Sequence, residues 1–331
     1  MTQKIKIAVI GAGLSGVTLA HTLKDVADVT VYEKARGIGG RMSTRYKDSF
    51  QFDHGAQFFS ARSDEFKSFL KPFLDEGLVR NWKPGLVEID QQGNVSNMTW
   101  DYDHYVASPK MNQLCKHIAQ QCDVQLNVHI DALEQRDGLW FLTYKNGQVY
   151  GPYDWVVSSA PAEQARDLLP FGFKHYNDIC AVKMLGCYSL MIGLSDNLNL
   201  DWDAARINGS PINWIAVNSN KPDRENDYSL ILQTDNNWAE DNIERDQTDV
   251  ESILLNEAKR FLPIDDRNIS YLSLHRWRYA STGKTYERDH AFLIDHSMNL
   301  AACGDWCING HVESAFLSAF HLSNEIKSSV L

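Results

Sequence analysis

The chain has 331 residues, 44% of them hydrophobic and 23% charged, enough apolar material for two domains with real cores. Its formal net charge of -11 argues against a nucleic-acid backbone or an anionic membrane surface as partner. No apolar run is long enough to span a bilayer. Met1 to Lys6 feeds directly into a strand pattern, and the carboxyl end is the short polar Lys327-Ser-Ser-Val-Leu331, so neither a signal peptide nor a membrane tail is expected.

The chain opens with Ile7-Ala-Val-Ile-Gly11-Ala-Gly13-Leu-Ser-Gly16, an apolar run leading into three glycines spaced G-x-G-x-x-G. Leu14, Val17, Ala20 and Leu23 follow at helical spacing, and a second apolar run, Val29 to Val31, ends on Glu33. This strand–turn–helix–strand unit places a pyrophosphate at a helix N-terminus. Gly11 permits the tight turn, Gly13 admits the phosphates and Gly16 lets the helix pack closely, while Glu33 stands where a carboxylate accepts from a ribose. By itself the unit leaves open which dinucleotide binds.

Gly37-Ile-Gly39-Gly40-Arg41 follows on the loop after the second strand. Simple nicotinamide dehydrogenases need no second glycine loop with an arginine here, whereas flavoproteins that bury FAD deeply often have one, the guanidinium offsetting phosphate charge. Phe52-Asp-His-Gly55-Ala-Gln-Phe58-Phe59 suits a strand running under a ring system. Ser63 is placed to cap a helix opening Asp64-Glu65, and Pro72 is expected to kink or split it. Short strands are expected at Val79–Trp82 and Leu86–Ile89.

Ser108-Pro109 reads as a cap and first helical residue, with Met111, Leu114, Cys115, Ile118, Ala119 and Cys122 on one inward face. Val124, Leu126 and Val128 alternate as a strand. Three further strands form a meander turning at Asp137-Gly138 and Asn146-Gly147, and Trp155 to Ala160 reads as a buried strand.

From about Phe171 to Tyr286 the pattern becomes strands at Met184–Leu194, Trp214–Asn218 and Ser229–Thr234, separated by polar loops such as Asn218–Asp227. A helix over Thr248–Leu262 and a concentration of Trp202, Trp214, Trp238, Trp277 and Tyr279 point to a second, sheet-based domain supplying a substrate wall. The last stretch returns to nucleotide-domain character. Leu300 to Cys303 leads into Gly304-Asp305, placing Asp305 against the ribityl hydroxyls, and a final helix from Val312 would turn its N-terminus near Glu313–Ala315 toward the flavin pyrimidine.

The cysteines Cys115, Cys122, Cys180, Cys187, Cys303 and Cys307 form no C-x-x-C pair and no zinc pattern, so no metal is expected; packed, reduced thiols in a cytoplasmic protein are the reading. No Ser/His/Asp, Cys/His or paired-carboxylate constellation stands out.

Val31-Tyr-Glu33-Lys-Ala-Arg-Gly-Ile-Gly-Gly-Arg41-Met-Ser-Thr, Phe52 to Phe59, His275-Arg-Trp-Arg-Tyr-Ala280 and Cys303-Gly-Asp-Trp-Cys307 with Val312-Glu-Ser-Ala-Phe316 resemble the FAD-dependent amine-oxidase-like flavoproteins, and within them the short bacterial renalase-like group. The resemblance implies an α/β, p-hydroxybenzoate-hydroxylase-like fold: a Rossmann-type FAD-binding domain, with FAD held noncovalently, and a second substrate domain of mixed β-sheet plus helices. The expected partition is 1–70, 106–170 and 287–331 for FAD, and 71–105 and 171–286 for substrate.

The resemblance also implies an oxidase that takes hydride from 2- or 6-dihydro-NAD(P) onto flavin N5 and passes electrons to O2 as hydrogen peroxide. Such a substrate gains aromaticity and needs alignment rather than a side-chain base. An amine oxidase and a non-catalytic flavin-binding sensor are the alternatives.

The residues expected to bind cofactor are Gly11, Gly13, Leu14, Ser15, Gly16, Glu33, Lys34, Gly40, Arg41, Ala56, Gln57, Phe58, Ile130, Gly304, Asp305, Val312, Glu313 and Ala315. Phe59, Trp214, Trp277 and Tyr279 are candidates for the substrate walls, and His275, Arg276, Arg278 and His311 for phosphate or amide contacts.

Overall fold

The computed structural model describes residues 4–224, 227–283 and 290–330; the expected domain boundary at Tyr286 and residue 287 lies outside them. The chain runs β1 (Ile5–Ile10), α1 (Leu14–Leu23) and β2 (Ala27–Glu33), then the hairpin β3 (Arg45–Lys47) and β4 (Phe50–Phe52). It continues through β5 (Phe59–Ser60), α2 (Asp64–Asp75), β6 (Val79–Asn81), β7 (Leu86–Ile89), β8 (Val95–Met98) and β9 (His104–Ala107). Next come α3 (Gln113–Ala119), β10 (Asp123–Leu126), the meander β11 (Ile130–Arg136), β12 (Leu139–Tyr144) and β13 (Val149–Tyr153), and β14 (Trp155–Ser158). Two short helices, α4 (Ala162–Leu168) and α5 (Tyr176–Cys180), precede β15 (Met184–Leu194), β16 (Ala204–Ile207), β17 (Ile212–Val217) and β18 (Ser229–Thr234). The remainder is α6 (Asn236–Asn242), α7 (Gln247–Phe261), β19 (Ile269–Thr282), β20 (Leu293–Asp295), β21 (Leu300–Ala302) and α8 (Val312–Val330).

A six-stranded sheet in the order β10-β2-β1-β14-β21-β20 carries the glycine turn, parallel throughout except for β20 on β21. Ile7, Ala8 and Val9 of β1 are fully buried, as a strand covered on both faces requires. A seven-stranded sheet, β19-β15-β18-β17-β16-β7-β8, packs α7 on one face through Val250, Leu254 and Ala258. The Rossmann-like α/β architecture with further mixed sheets is thus the observed fold. The Asp137-Gly138 turn has both central residues at positive φ (51° and 82°), the conformation a two-residue hairpin needs. Among the described residues no helix is long and apolar enough to cross a membrane.

Three local expectations change. Helix α2 is capped by Ser63, whose hydroxyl accepts from the Phe66 amide at 3.2 Å, yet it runs unbroken through Pro72. Both Pro72 and Ser68 are exposed, so water satisfies the carbonyl that the proline leaves without a donor. The helix expected from Pro109 starts at Gln113, because Ser108 gives its hydroxyl to Asp223 (2.6 Å) and the Met111 amide goes to Asp53 (3.1 Å). Met111 remains fully buried.

The stretch Phe52–Phe59 is not a strand. Pairing stops at Phe52 and resumes at Phe59, because the Asp53 carboxylate turns into a buried polar cluster. The polar loop after Asn218 folds inward, Lys221 and Arg224 being 2% and 7% exposed and facing Asp53.

Candidate functional site

A long cleft of about 1970 Å3 runs between the glycine turn and the seven-stranded sheet. Pockets for drug-sized ligands occupy roughly 300–1,000 Å3, so this one has room for a dinucleotide and a second molecule. At one end, Gly11 (φ 109°) makes the turn after β1 and donates its amide to the Tyr32 carbonyl at 2.8 Å. A Cβ on Gly16 would fall 2.0 Å from the Gly11 carbonyl oxygen, so α1 lies against its own turn where only hydrogen fits. A Cβ on Gly13 would meet nothing within 4 Å, and as N-cap Gly13 gives α1 no side-chain cap. The first amides of α1 therefore face the cleft through open backbone, a cradle for an anion.

Glu33 braces this turn. One carboxylate oxygen accepts from the Ala12 amide (2.8 Å) and the other from the Ala35 amide (2.7 Å), leaving further lone pairs toward the cleft. The second glycine loop docks on the first: the Gly39 amide donates to the Ala12 carbonyl at 2.9 Å, and Gly40 sits at φ 51° with its Cβ position 3.2 Å from Gly13 Cα. Two cleft-lining residues expected to touch cofactor also meet each other. Arg41 makes a bidentate pair with Asp305, at 2.8 and 2.5 Å, spanning 264 positions of sequence.

Lys34, Ile130, Leu14, Ser15, Ala56, Phe58, Phe59, Val312, Ala315, Tyr279 and His311 all line the cleft. Four expected residues do not. Gly16 packs inside α1, and Gly304 turns the chain beneath Asp305 with its amide donated to Ser318 at 2.9 Å. Gln57 points away from the cleft, donating to the Asp53 and Gly55 carbonyls (2.6 and 3.0 Å) and accepting from Lys221 (3.1 Å). Trp214 lies behind Phe58, ring centroids 5.5 Å apart, rather than forming a wall itself. Glu313 reaches the cleft, but its carboxylate caps α2 by accepting from Ser63 N and Oγ, both at 2.6 Å.

The opposite wall is one face of the seven-stranded sheet. Cross-strand register sets His275, Ser189, Gln233 and Trp214 in a row on β19, β15, β18 and β17. Ser189 donates to the His54 carbonyl (2.7 Å), as does the Trp277 indole (2.9 Å), and Gln233 donates to the Gly55 carbonyl (2.7 Å). The His54 ring stacks on Trp277 at 5.1 Å, and His275 meets it edge-on at 4.8 Å. Burial and the neighbouring His275 and Arg45 push the His54 imidazole down to about 3; burial and Arg45 push His275 down to about 4. Both rings are neutral at ordinary pH. Arg276 donates to the Ile243 carbonyl at 2.7 Å, and Arg278 is paired with Glu244.

Beneath the 53–57 loop lies the cluster that sequence reading did not find. Arg224 donates Nη2 and Nε to the Asp53 carboxylate at 2.8 and 3.1 Å, with Lys221 at 3.7 Å and the Thr44 hydroxyl at 2.7 Å. Burial alone would raise the Asp53 carboxyl, but Arg224 and Lys221 outweigh it and hold it at about 2. The partners lie 171 positions apart, so neither spacing nor periodicity marks them.

FAD fits these residues. The uncapped α1 terminus and open Gly13 suit a pyrophosphate, Glu33 suits a ribose diol, and the cleft is long enough for a ring system beyond. Cys303 and Cys307 are buried and do not line the cleft.

Comparison with known proteins agrees with this geometry. The family described as "Flavin containing amine oxidoreductase" matches residues 92–327, and "NAD(P)-binding Rossmann-like domain" matches residues 9–73. A 4,4'-diapophytoene desaturase (4,4'-diaponeurosporene-forming) of Staphylococcus aureus is 46% identical over 109 residues, covering 32% of this chain and 20% of that enzyme. This chain thus aligns with about a fifth of that relative's length. A candidate protoporphyrinogen oxidase from Exiguobacterium superposes with a TM-score of 0.78 over 99% of this chain and 100% of its own, at 11% identity. A putrescine oxidase bound to putrescine superposes with a TM-score of 0.73 over 98% of this chain and 99% of its own, at 12% identity. At such identities the structures speak for the fold.

Proposed function

The chain belongs to the flavin-containing amine oxidoreductases, and from that premise we propose that it is an FAD-dependent oxidase acting on aberrantly reduced nicotinamide dinucleotides, 2- or 6-dihydro-NAD(P), with O2 as acceptor and hydrogen peroxide as product. The observation that carries this reading is the charge of the substrate-side wall. Among the described residues, neutral His275 and the amides of Asn213, Gln233 and Asn236 line it and no carboxylate does, while Arg276 is held by the Ile243 carbonyl and Arg278 by Glu244. Arg45 adds a guanidinium opposite. A protonated amine would find no counter-charge there, whereas a phosphate-bearing substrate with a carboxamide finds the Arg45 cation and hydrogen-bonding groups.

FAD, held noncovalently, supplies the two-electron hydride acceptor. The α1 turn would take its pyrophosphate, Glu33 its adenosine ribose, and Asp305, held in place by Arg41, its ribityl chain. In this reading residues 1–70, 106–170 and 287–331 carry the cofactor, and 71–105 and 171–286 the substrate. Trp277, with the His54 ring stacked against it, gives an aromatic surface on which a nicotinamide ring can be aligned. Phe58 and Phe59 help to exclude water. No side-chain base is required, because the substrate's gain of aromaticity drives hydride loss.

The test is anaerobic mixing of the FAD-loaded protein with borohydride-generated NAD(P)H isomers, with ordinary NADH, and with a panel of amines. Rapid flavin bleaching by the isomers is the expected result. Bleaching by amines alone would assign an amine oxidase, and no bleaching by any of them a flavin-binding sensor.

A further inference from the structure

Arg45 and His275 lie 230 positions apart and meet at the cleft, Arg45 Nη2 standing 3.2 Å from His275 Nδ1. A guanidinium can only donate, so Nδ1 must accept. The neutral imidazole then carries its single proton on Nε2. Nε2 has no protein partner among the described residues, on a ring that lines the cleft. The groups around this ring are Arg45 from β3, His54 from the loop, Ser189 across β15, and Trp277 and Arg276 on its own strand, none of them a carboxylate. Nothing facing His275 therefore favours its protonation.

We propose that Arg45 is a positioning residue that locks His275 as the Nε2–H tautomer, and that this N–H is the donor that reads the carboxamide carbonyl of the substrate's nicotinamide ring. The assignment rests on the dinucleotide reading above. It adds a reason for Arg45 beyond phosphate attraction: the cation both orients the ring and keeps it uncharged. An N–H on a neutral ring donates to a carbonyl oxygen without selecting for a carboxylate, so the site would distinguish an amide-bearing ring from one lacking the carbonyl.

Two measurements on the FAD-loaded protein test this. In protein with nitrogen-labelled histidine, NMR should show His275 neutral and Nε2-protonated from about pH 8 to about pH 5, and Arg45→Met should lose that single tautomer and titrate at higher pH. A wild-type His275 carrying its proton on Nδ1 overturns the lock. In the second, NAD+ and its analogue with hydrogen in place of the carboxamide are titrated against the flavin spectrum. The wild type should prefer NAD+ by roughly three- to tenfold, the worth of one neutral hydrogen bond. His275→Phe should abolish the preference and His275→Gln, which keeps an N–H donor, should restore part of it. An undiminished preference in His275→Phe, or no binding of NAD+ at all, overturns the donor role. Failure of the isomers to bleach the flavin, with a preference that still follows His275, would remove the proposed activity and leave the donor in place.

Discussion

Gln233 donates its side-chain amide to the backbone carbonyl of Gly55 at 2.7 Å, so a residue in the middle of the seven-stranded sheet holds the loop that floors the cleft. The same amide lies 3.3 Å from the Ser189 hydroxyl, which itself holds the His54 carbonyl. The seven-stranded sheet is thereby joined directly to the 53–57 loop under the site.

Removing this clamp should loosen the loop more than the fold. Gln233→Leu is expected to cost about 1 kcal/mol of stability, the net value of an ordinary hydrogen bond plus an orphaned carbonyl. FAD retention should fall further than that figure suggests, because Ala56 and Phe58 shift with Gly55. Denaturant titration gives the first quantity, and release of fluorescent FAD on dilution the second.

Gly13 and Gly16 should separate folding from cofactor binding. Gly16→Ala places a methyl 2.0 Å from the Gly11 carbonyl and should destabilise the protein by about 3 kcal/mol or more. Gly13→Ala meets no protein atom within 4 Å and has an ordinary φ of -75°, so the chain should fold normally and lose FAD. Thermal melts of both variants in the absence of FAD, followed by FAD titration, distinguish the two effects. Equal loss of stability would refute the distinction.

The Arg41–Asp305 pair should behave as a unit. Arg41→Met and Asp305→Asn are each expected to weaken FAD binding, and the double variant to lose less than the two added together. A coupling of roughly 1–2 kcal/mol is expected for a partly buried bidentate pair. Calorimetric FAD titrations of the four proteins complete the cycle; strict additivity would show that each residue acts alone.

Acid should unfold the protein in two stages. His54 and His275 have folded values of about 3 and about 4, below the ordinary 6.5, so the unfolded chain binds more protons. Stability therefore declines as pH falls below 6.5, by up to about 1.4 kcal/mol per pH unit for the buried His54. Asp53, held at about 2 against 3.8 when unfolded, contributes stability above pH 3.8 that is lost as pH falls through 2. His54→Gln should flatten the first decline only. Asp53→Asn should remove about 3–5 kcal/mol at neutral pH, because Arg224 and Lys221 then remain buried without their counter-charge. Urea midpoints measured across the pH range check both.

What the sequence determined by itself is the cofactor half. The turn, the open helix terminus and the second glycine loop lie within one run of about forty residues, and each follows from local rules: apolar periodicity, glycine conformations and strand ends. The Asp137-Gly138 hairpin and the Ser63 cap were legible for the same reason. Tertiary structure alone decided the rest. Asp53 finds Arg224 and Lys221 across 171 and 168 positions, and a polar loop becomes buried charge only once it is folded against Phe52 to Phe59. The substrate wall is assembled from single residues of separate strands, His275 and Gln233 being set beside the cleft on either side of Ser189 by sheet register. Register is set by which side chains pack on each face of the whole sheet, so no one strand carries the information that places its neighbour beside the cleft.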